Sequence, residues 1–176
     1  MWLLSRIFLV LIVGAGISGC GTITYVAKRE VVKHVYISPV TNRTPEEGID
    51  ILFTRAADDT FYTDSRFAVD KTPIPDETII VKPSVDSISA FSVGYNADDQ
   101  AIEYRLSVTA TIKLIKYGYK KPFKTFKITC YGFYDATGIP TEAEMKRKEC
   151  IESIAKDIFR EVGEKLLEGG SDGKNN

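Results

Sequence analysis

From Ile102 to Leu114, apolar and polar side chains alternate without a break for thirteen residues. Ile102, Tyr104, Leu106, Val108, Ala110, Ile112 and Leu114 fall on one side. Glu103, Arg105, Ser107, Thr109, Thr111 and Lys113 fall on the other. Successive side chains of a strand point to opposite faces, so this period predicts a strand with one buried and one wet face. At ~3.3 Å per residue it would be about 40 Å long, well beyond the usual strand. Upstream, Val85, Ser87, Ser89, Phe91, Val93 and Tyr95 alternate with Asp86, Ile88, Ala90 and Ser92. The polar run Asn96–Gln100 between the two segments reads as a turn, which makes them a hairpin.

The other elements arrange themselves around that hairpin. Val31–Ile37 is β-branched and aromatic and ends at Ser38-Pro39, which reads as a first strand. Its His34 has no carboxylate or serine near it in sequence and reads as a surface or satisfied histidine. Thr44-Pro45-Glu46-Glu47 has the form of a capping box, and predicts a helix from Pro45 to about Tyr62. Ile49, Leu52, Phe53, Ala56, Ala57, Thr60 and Phe61 would be its apolar stripe. Asp58 and Asp59 fall off that stripe, on a solvated face. Phe67-Ala68-Val69 reads as a short strand, Pro73 and Pro75 as an irregular stretch, and Pro83 as an edge or a break. Phe126, Ile128 and Cys130 share one face of a further strand ending near Tyr134. Pro140 and a second capping box at Thr141–Glu144 open a last helix. Its stripe is Cys150, Ile151, Ile154, Ala155, Ile158, Phe159, Val162 and Leu166, and it stops at Gly169-Gly170. These patterns predict an α+β domain: a mostly antiparallel or mixed four-stranded sheet with two helices on one face, in the order strand, helix, strands, helix.

The N-terminus has a separate meaning. Residues 1–19 carry one charge, Arg6, then the apolar run Ile7–Val13 and small residues, the layout of a secretory signal peptide. The apolar run is too short to span a bilayer. Ile17-Ser18-Gly19-Cys20 resembles the lipobox of bacterial lipoproteins, in which the cysteine becomes the acylated first residue of the mature chain. More than one acyl chain on Cys20 is what stable anchoring needs. Gly21 stands where an Asp would retain a lipoprotein in the inner membrane, which implies the outer membrane, with the domain facing the periplasm. The organisation is then a leader (1–19), a lipidated tether (20–30), one domain (31–168) and a polar tail (169–176). Cys130 and Cys150 fall on the core faces of their elements; an oxidising periplasm allows either a disulfide or two buried thiols.

Composition excludes several functions. A net charge of −1 from 23 basic and 24 acidic residues argues against a nucleic-acid partner. One histidine and no Cys/His cluster argue against a structural metal. No nucleophile elbow, phosphate loop, dinucleotide fingerprint or metalloprotease motif occurs, so neither catalysis nor a cofactor is implied.

Three stretches then point to a family. The segment His34–Thr44 (HVYISPVTNRT) resembles the I-P-x-F-x-N-R-T opening of LptE-type lipoproteins, the lipopolysaccharide-assembly lipoproteins of the outer membrane. Asp86–Ser107 is similar to that family's hairpin, Y…E-Y-R-L-x-V, and the closing helix is similar to its last helix. Pro83 and the basic-aromatic loop at 116–124 depart from the pattern. The resemblance covers residues 31–167. It implies a non-catalytic protein that plugs and helps assemble the LptD-type β-barrel and assists delivery of lipopolysaccharide to the outer leaflet. Its partners would be that barrel, lipopolysaccharide and, through Cys20, the inner leaflet of the outer membrane. Lys113, Lys116, Lys120, Lys121 and Lys124, with Tyr117, Tyr119 and Phe123, cluster at the end of the hairpin. Cations suit lipid A phosphates and aromatics suit its sugar and acyl surface; a lysine-protected sheet edge is the alternative use of the same residues. The alternative function is an accessory lipoprotein of another envelope machine, a secretin pilot or a β-barrel assembly partner.

Overall fold

The long alternating segment is the spine of the sheet. In the computed structural model, which describes residues 32–168, it is strand β5 (Ala101–Lys116). It pairs antiparallel with β4 (Ile79–Tyr95) on one side and β6 (Lys124–Asp135) on the other. The turn between β4 and β5 is held by one side chain. Asn96 Oδ1 accepts the N–H groups of Asp98 (3.0 Å) and Gln100 (2.9 Å), a local bond that asparagine is suited to make. The leader, Cys20, the tether and the tail at 169–176 lie outside the described residues.

The sheet has six strands, not four. The order is β3-β1-β4-β5-β6, with β2 also paired to β4. Here β1 is Lys33–Ile37, β2 Thr41–Asn42 and β3 Phe67–Val69. β1 lies parallel to β3 and to β4, and β2 lies parallel to β4, so the sheet is mixed. Strands of two and three residues are too short to show a period, which is why β2 leaves no trace in the sequence.

Pro83 does not break β4. Val81 and Val85 direct their carbonyls away from β5, to the N–H groups of Ser38 and Arg43 (both 3.0 Å). Pro83, two residues from each, turns its nitrogen to the same side, where β1 has ended at Ile37↔Val81 and β2 has yet to begin at Thr41↔Ser84. The missing N–H falls in a gap in the ladder and costs no hydrogen bond.

The simple alternation of β4 also needs correcting. The register slips between Val85 and Ser87, so Asp86 is an extra residue. Val81, Pro83 and Val85 face the core, but beyond the bulge Ile88 and Ala90 take that side, opposite Val108 and Leu106. Phe91 is turned outward. Asp86 is pinned by Ser84 Oγ (3.1 Å), by Arg43 Nη1 (3.4 Å) and by the Thr111 hydroxyl. Asp86→Ala is expected to destabilise the domain by about 1–3 kcal/mol, since the buried Thr111 hydroxyl loses its acceptor and the buried Ser84 hydroxyl keeps only the Thr111 carbonyl, at 3.4 Å. Urea unfolding checks this, and a change below 0.5 kcal/mol, ordinary for a surface site, would contradict the anchoring role of Asp86.

Both helices lay their stripes on the core face. Helix α1 (Ile49–Thr63) buries Ile49, Phe53, Ala56, Ala57 and Phe61. It starts four residues later than the capping motif predicts. Thr44 accepts the Glu46 N–H (3.2 Å) within a turn that Asn42 also braces, and Gly48, at φ 74°, opens the helix instead. Glycine reaches that left-handed conformation without strain. Helix α2 (Pro140–Glu168) buries the whole expected stripe and Gly163 besides. Pro140 is its first residue, so Thr141 stands inside the first turn and not at the cap. A Cβ on Gly163 would lie 3.4 Å from the Phe67 ring, an ordinary contact distance, which places α2 against β3 at this point. Phe53 and Phe159 meet edge to face between the helices, with centroids 6.2 Å apart.

The two cysteines are both free thiols. Their faces are as expected, but Cys150 stacks over Gly132, where a Cβ would stand 2.8 Å from its Sγ. For Cys130, the charges of Glu161 and then Asp157, also on α2, add to the effect of its burial. Burial, above all, raises the pKa of both thiols, which disfavours the reactive thiolate.

Candidate functional site

Several elements end together at one end of the sheet. β1 and β6 begin there, β5 ends there, and the last turn of α2 arrives beside them. Each contributes a lysine: Lys33, Lys124, Lys116 and Lys165. They line a pocket of about 370 Å³ with an apolar floor that includes Val32, Ile79, Leu114 and Phe123. Residues far apart in the chain are thus joined because strand ends and a helix C-terminus coincide.

The helix end explains part of the charge. The last carbonyls of a helix have no internal partner and carry its negative pole. Lys33 Nζ donates to the Leu166 carbonyl and, at 3.4 Å, to that of Leu167. Lys124 Nζ donates to the Lys165 carbonyl at 3.3 Å. Burial, then repulsion from Lys124, holds the Lys33 ammonium below its usual pKa. Lys165 pairs with Glu161 one turn back (3.3 Å), and it shares the Phe126 ring with Lys124, each 5.7 Å from the centroid. Among the described residues Lys116 has no ion-pair partner. The pocket therefore combines committed cations, one uncommitted cation and an apolar floor. That chemistry suits an amphiphile with an anionic head.

The lysines singled out by sequence divide. Lys116 and Lys124 reach the pocket together with Phe123. Lys113 does not: it is paired between Lys82 and Thr125 on the opposite, exposed face of the sheet. Lys120, Lys121, Tyr117 and Tyr119 belong to the exposed loop between β5 and β6, which turns at Gly118 (φ 92°). Lys33 and Lys165 were not legible as site residues. Each is an ordinary lysine at the end of its element until the fold brings both to the pocket.

His34 also lines the pocket, and it has a partner after all. Its Nδ1 lies 3.0 Å from Asp70 Oδ1, and Thr78 Oγ1 donates to Asp70 Oδ2 at 2.5 Å. Thr78 in turn accepts the Ile74 N–H (2.8 Å), so the network ties the proline-rich loop to β1. The bond to Asp70 raises the His34 pKa. Burial works against the Asp70 charge, but the bonds from Thr78 and His34 outweigh it and lower its pKa. The His34 contribution is thus complete below the ordinary histidine range and fades as pH rises through the raised value. At the far end of α1, burial and then Asp59 raise the pKa of Asp58. Among the described residues no group of His, Cys, Asp and Glu side chains is arranged to hold a metal, and no helix is long and apolar enough to cross a membrane.

Comparison with known proteins gives two findings. The family model described as LptE, lipopolysaccharide-assembly, matches residues 32–166. Among solved structures, the fold is similar to rare lipoprotein B from Shewanella oneidensis, at TM-score 0.55 and 11% identity over 77% of this chain and 98% of that one. It is also similar to a hypothetical protein from Chlamydia trachomatis, at TM-score 0.53 and 10% identity over 76% and 95% of the two chains. A third is the uncharacterized lipoprotein B from Nitrosomonas europaea, at TM-score 0.50 and 12% identity over 74% and 79%. At these identities the likeness is one of fold. No curated protein sequence matches.

Proposed function

The chain belongs to the LptE lipopolysaccharide-assembly family, and from that premise we propose that it is a non-catalytic outer-membrane lipoprotein facing the periplasm. In this reading, cleavage after Gly19 leaves Cys20 to be acylated, and residues 20–30 tether the domain to the inner leaflet. The domain plugs and helps assemble an LptD-type β-barrel and assists delivery of lipopolysaccharide to the outer leaflet. The observation that carries the reading is the extent of the family match, which takes in almost every described residue. A tagged full-length chain, purified from outer membranes, is expected to bring an LptD-type barrel with it, identified by mass spectrometry. Recovery of a secretin or a β-barrel assembly complex without that barrel would overturn the reading.

Lipopolysaccharide contact belongs to the basic end of the sheet. Lys116, Lys120, Lys121 and Lys124, with Tyr117 and Tyr119, supply cations and aromatic surface for phosphates and sugars. Lys33 and Lys165 extend the set into the pocket. Replacing Lys113, Lys116, Lys120, Lys121 and Lys124 together with Gln is expected to weaken lipopolysaccharide binding about tenfold or more. Lys113→Gln alone should leave it within about twofold, because Lys113 stands on the other face. Unchanged binding in the fivefold variant would remove the assignment.

A further inference from the structure

The stretch that joins β5 to β6, KYGYKKPFK from Lys116 to Lys124, carries four lysines, three aromatic rings and no acid. Every residue from Lys116 to Phe123 is exposed, and the rings of Tyr119 and Phe123 are 63% and 53% exposed. Among the described residues Lys116, Lys120 and Lys121 have no ion-pair partner. The loop is nevertheless fixed in place. The Tyr117 N–H donates to the Thr78 carbonyl (3.0 Å), the Tyr119 N–H to that of Lys116 (3.0 Å) and the Phe123 N–H to that of Leu114 (2.9 Å). Its rings and ammonium groups are thus presented at little further entropic cost. A guard against edge pairing needs charge and has no use for exposed rings. Lysines set among tyrosine and phenylalanine suit the interface between a membrane and water, where cations meet phosphates and rings lie at headgroup level.

The point where the chain enters the domain selects the occupant. Val32, the first described residue, and Lys33 line the same pocket as Phe123 and Lys124. The tether is therefore joined to the domain at the loop's end of the sheet. Cys20 lies twelve residues before Val32, about 40 Å at full stretch. β5 has 16 residues, about 50 Å at ~3.3 Å each, so the turn at Asn96–Gln100 stands a full strand length from the point of attachment. We infer that the β5–β6 loop docks on the anionic phospholipid headgroups of the leaflet that holds the acyl chains of Cys20. Lys120 and Lys121 meet the phosphates, and Tyr119 and Phe123 lie among the headgroups. The inference rests on the lipid-anchor reading above and adds a protein surface that acts together with the acyl chains. A chain already tethered meets the surface at high effective concentration, so a few charge contacts suffice. Docking holds the mouth of the lysine pocket at the membrane surface.

The test uses the full-length chain, acylated in cells, extracted from membranes and reconstituted in vesicles. One set contains phosphatidylethanolamine with phosphatidylglycerol, a second phosphatidylcholine alone, and a third phosphatidylethanolamine with lipopolysaccharide. A photoreactive phenylalanine analogue is placed at Tyr119 and, as a control at the far end of the sheet, at Tyr95, which is 57% exposed. Phospholipid adducts are expected from Tyr119 and not from Tyr95, with about threefold or more in the phosphatidylglycerol set than in the neutral one. Lys120→Gln combined with Lys121→Gln is expected to cut the Tyr119 adducts by a similar factor. The thermal midpoint should not move, because both side chains are exposed. A chain retained on the vesicles through an alkaline wash but giving no Tyr119 adducts would overturn the docking and leave the anchor standing. Equal adducts from Tyr95, or a yield indifferent to phosphatidylglycerol and to the two lysines, would reduce the contact to the nearness that the tether imposes and also overturn it. Tyr119 adducts confined to the third set would give the loop to lipopolysaccharide alone. If the alkaline wash releases the wild-type chain, the anchor reading fails and the docking fails with it.

Discussion

Phe159→Ala is expected to destabilise the domain by about 3–5 kcal/mol. The ring is fully buried in α2 and packs edge to face on Phe53 of α1, at the point where both helices meet the sheet. Truncation removes its transfer energy, opens a cavity and loses the aromatic pair, itself worth about 0.5–1.5 kcal/mol. A domain of this size is stable by only about 5–15 kcal/mol, so the loss is a large share of the whole. The thermal midpoint should fall by roughly 10–20 °C. Tyr62→Ala serves as the control: its side chain is exposed and should stay within about 0.5 kcal/mol of wild type. A fall below about 3 °C for Phe159→Ala would mean that the helix pair is not the centre of the core.

Cys20→Ser is expected to abolish acylation and, with it, stable anchoring. Each methylene buried in lipid contributes about 0.8 kcal/mol, and a single myristoyl chain gives only reversible binding. Two or more chains on Cys20 make release negligible; none leaves a chain held only by its protein partner. Metabolic labelling with palmitate provides the direct readout, with label in wild type and none in the variant. Label retained after the substitution would place the acyl chains elsewhere and remove Cys20 from the anchoring role. Alkaline extraction separates the two ways of being held, since it strips protein contacts and leaves acylated chains in the membrane.

Much of the fold can be read from neighbouring residues. The period of two from Ile102 to Leu114 is the two-faced strand β5, and the stripes from Ile49 to Phe61 and from Cys150 to Leu166 are the buried faces of the helices. The errors share one cause. Thr44 has the residues of a cap, but it is engaged in a turn with Asn42, so the helix waits for Gly48. Pro83 is a breaker by type, yet it stands where no strand asks for its N–H. Phe91 belongs by parity with Val85, yet the bulge at Asp86 turns it outward. In each case a local rule met a partner supplied from elsewhere in the chain.

The site was less legible for the same reason. Lys116, Lys124 and Phe123 could be singled out because they flank one loop. Lys33 and Lys165 reach the same pocket from the two ends of the domain. His34 had no partner within its own stretch of chain and finds Asp70 across the sheet, where the parallel pairing of β1 with β3 and β4 brings the loop between those strands beside it.

By itself the sequence determined which face of each element is apolar, because the periods of strands and helices are written in adjacent residues. It also carried Ile17–Cys20, a contiguous motif that resembles a lipobox. Only the tertiary structure decided which lysines share a pocket and which way Phe91 is turned. Those outcomes depend on register, on one extra residue at Asp86 and on where the ends of separate elements meet. Such features arise from pairing between distant segments, and no local pattern encodes them.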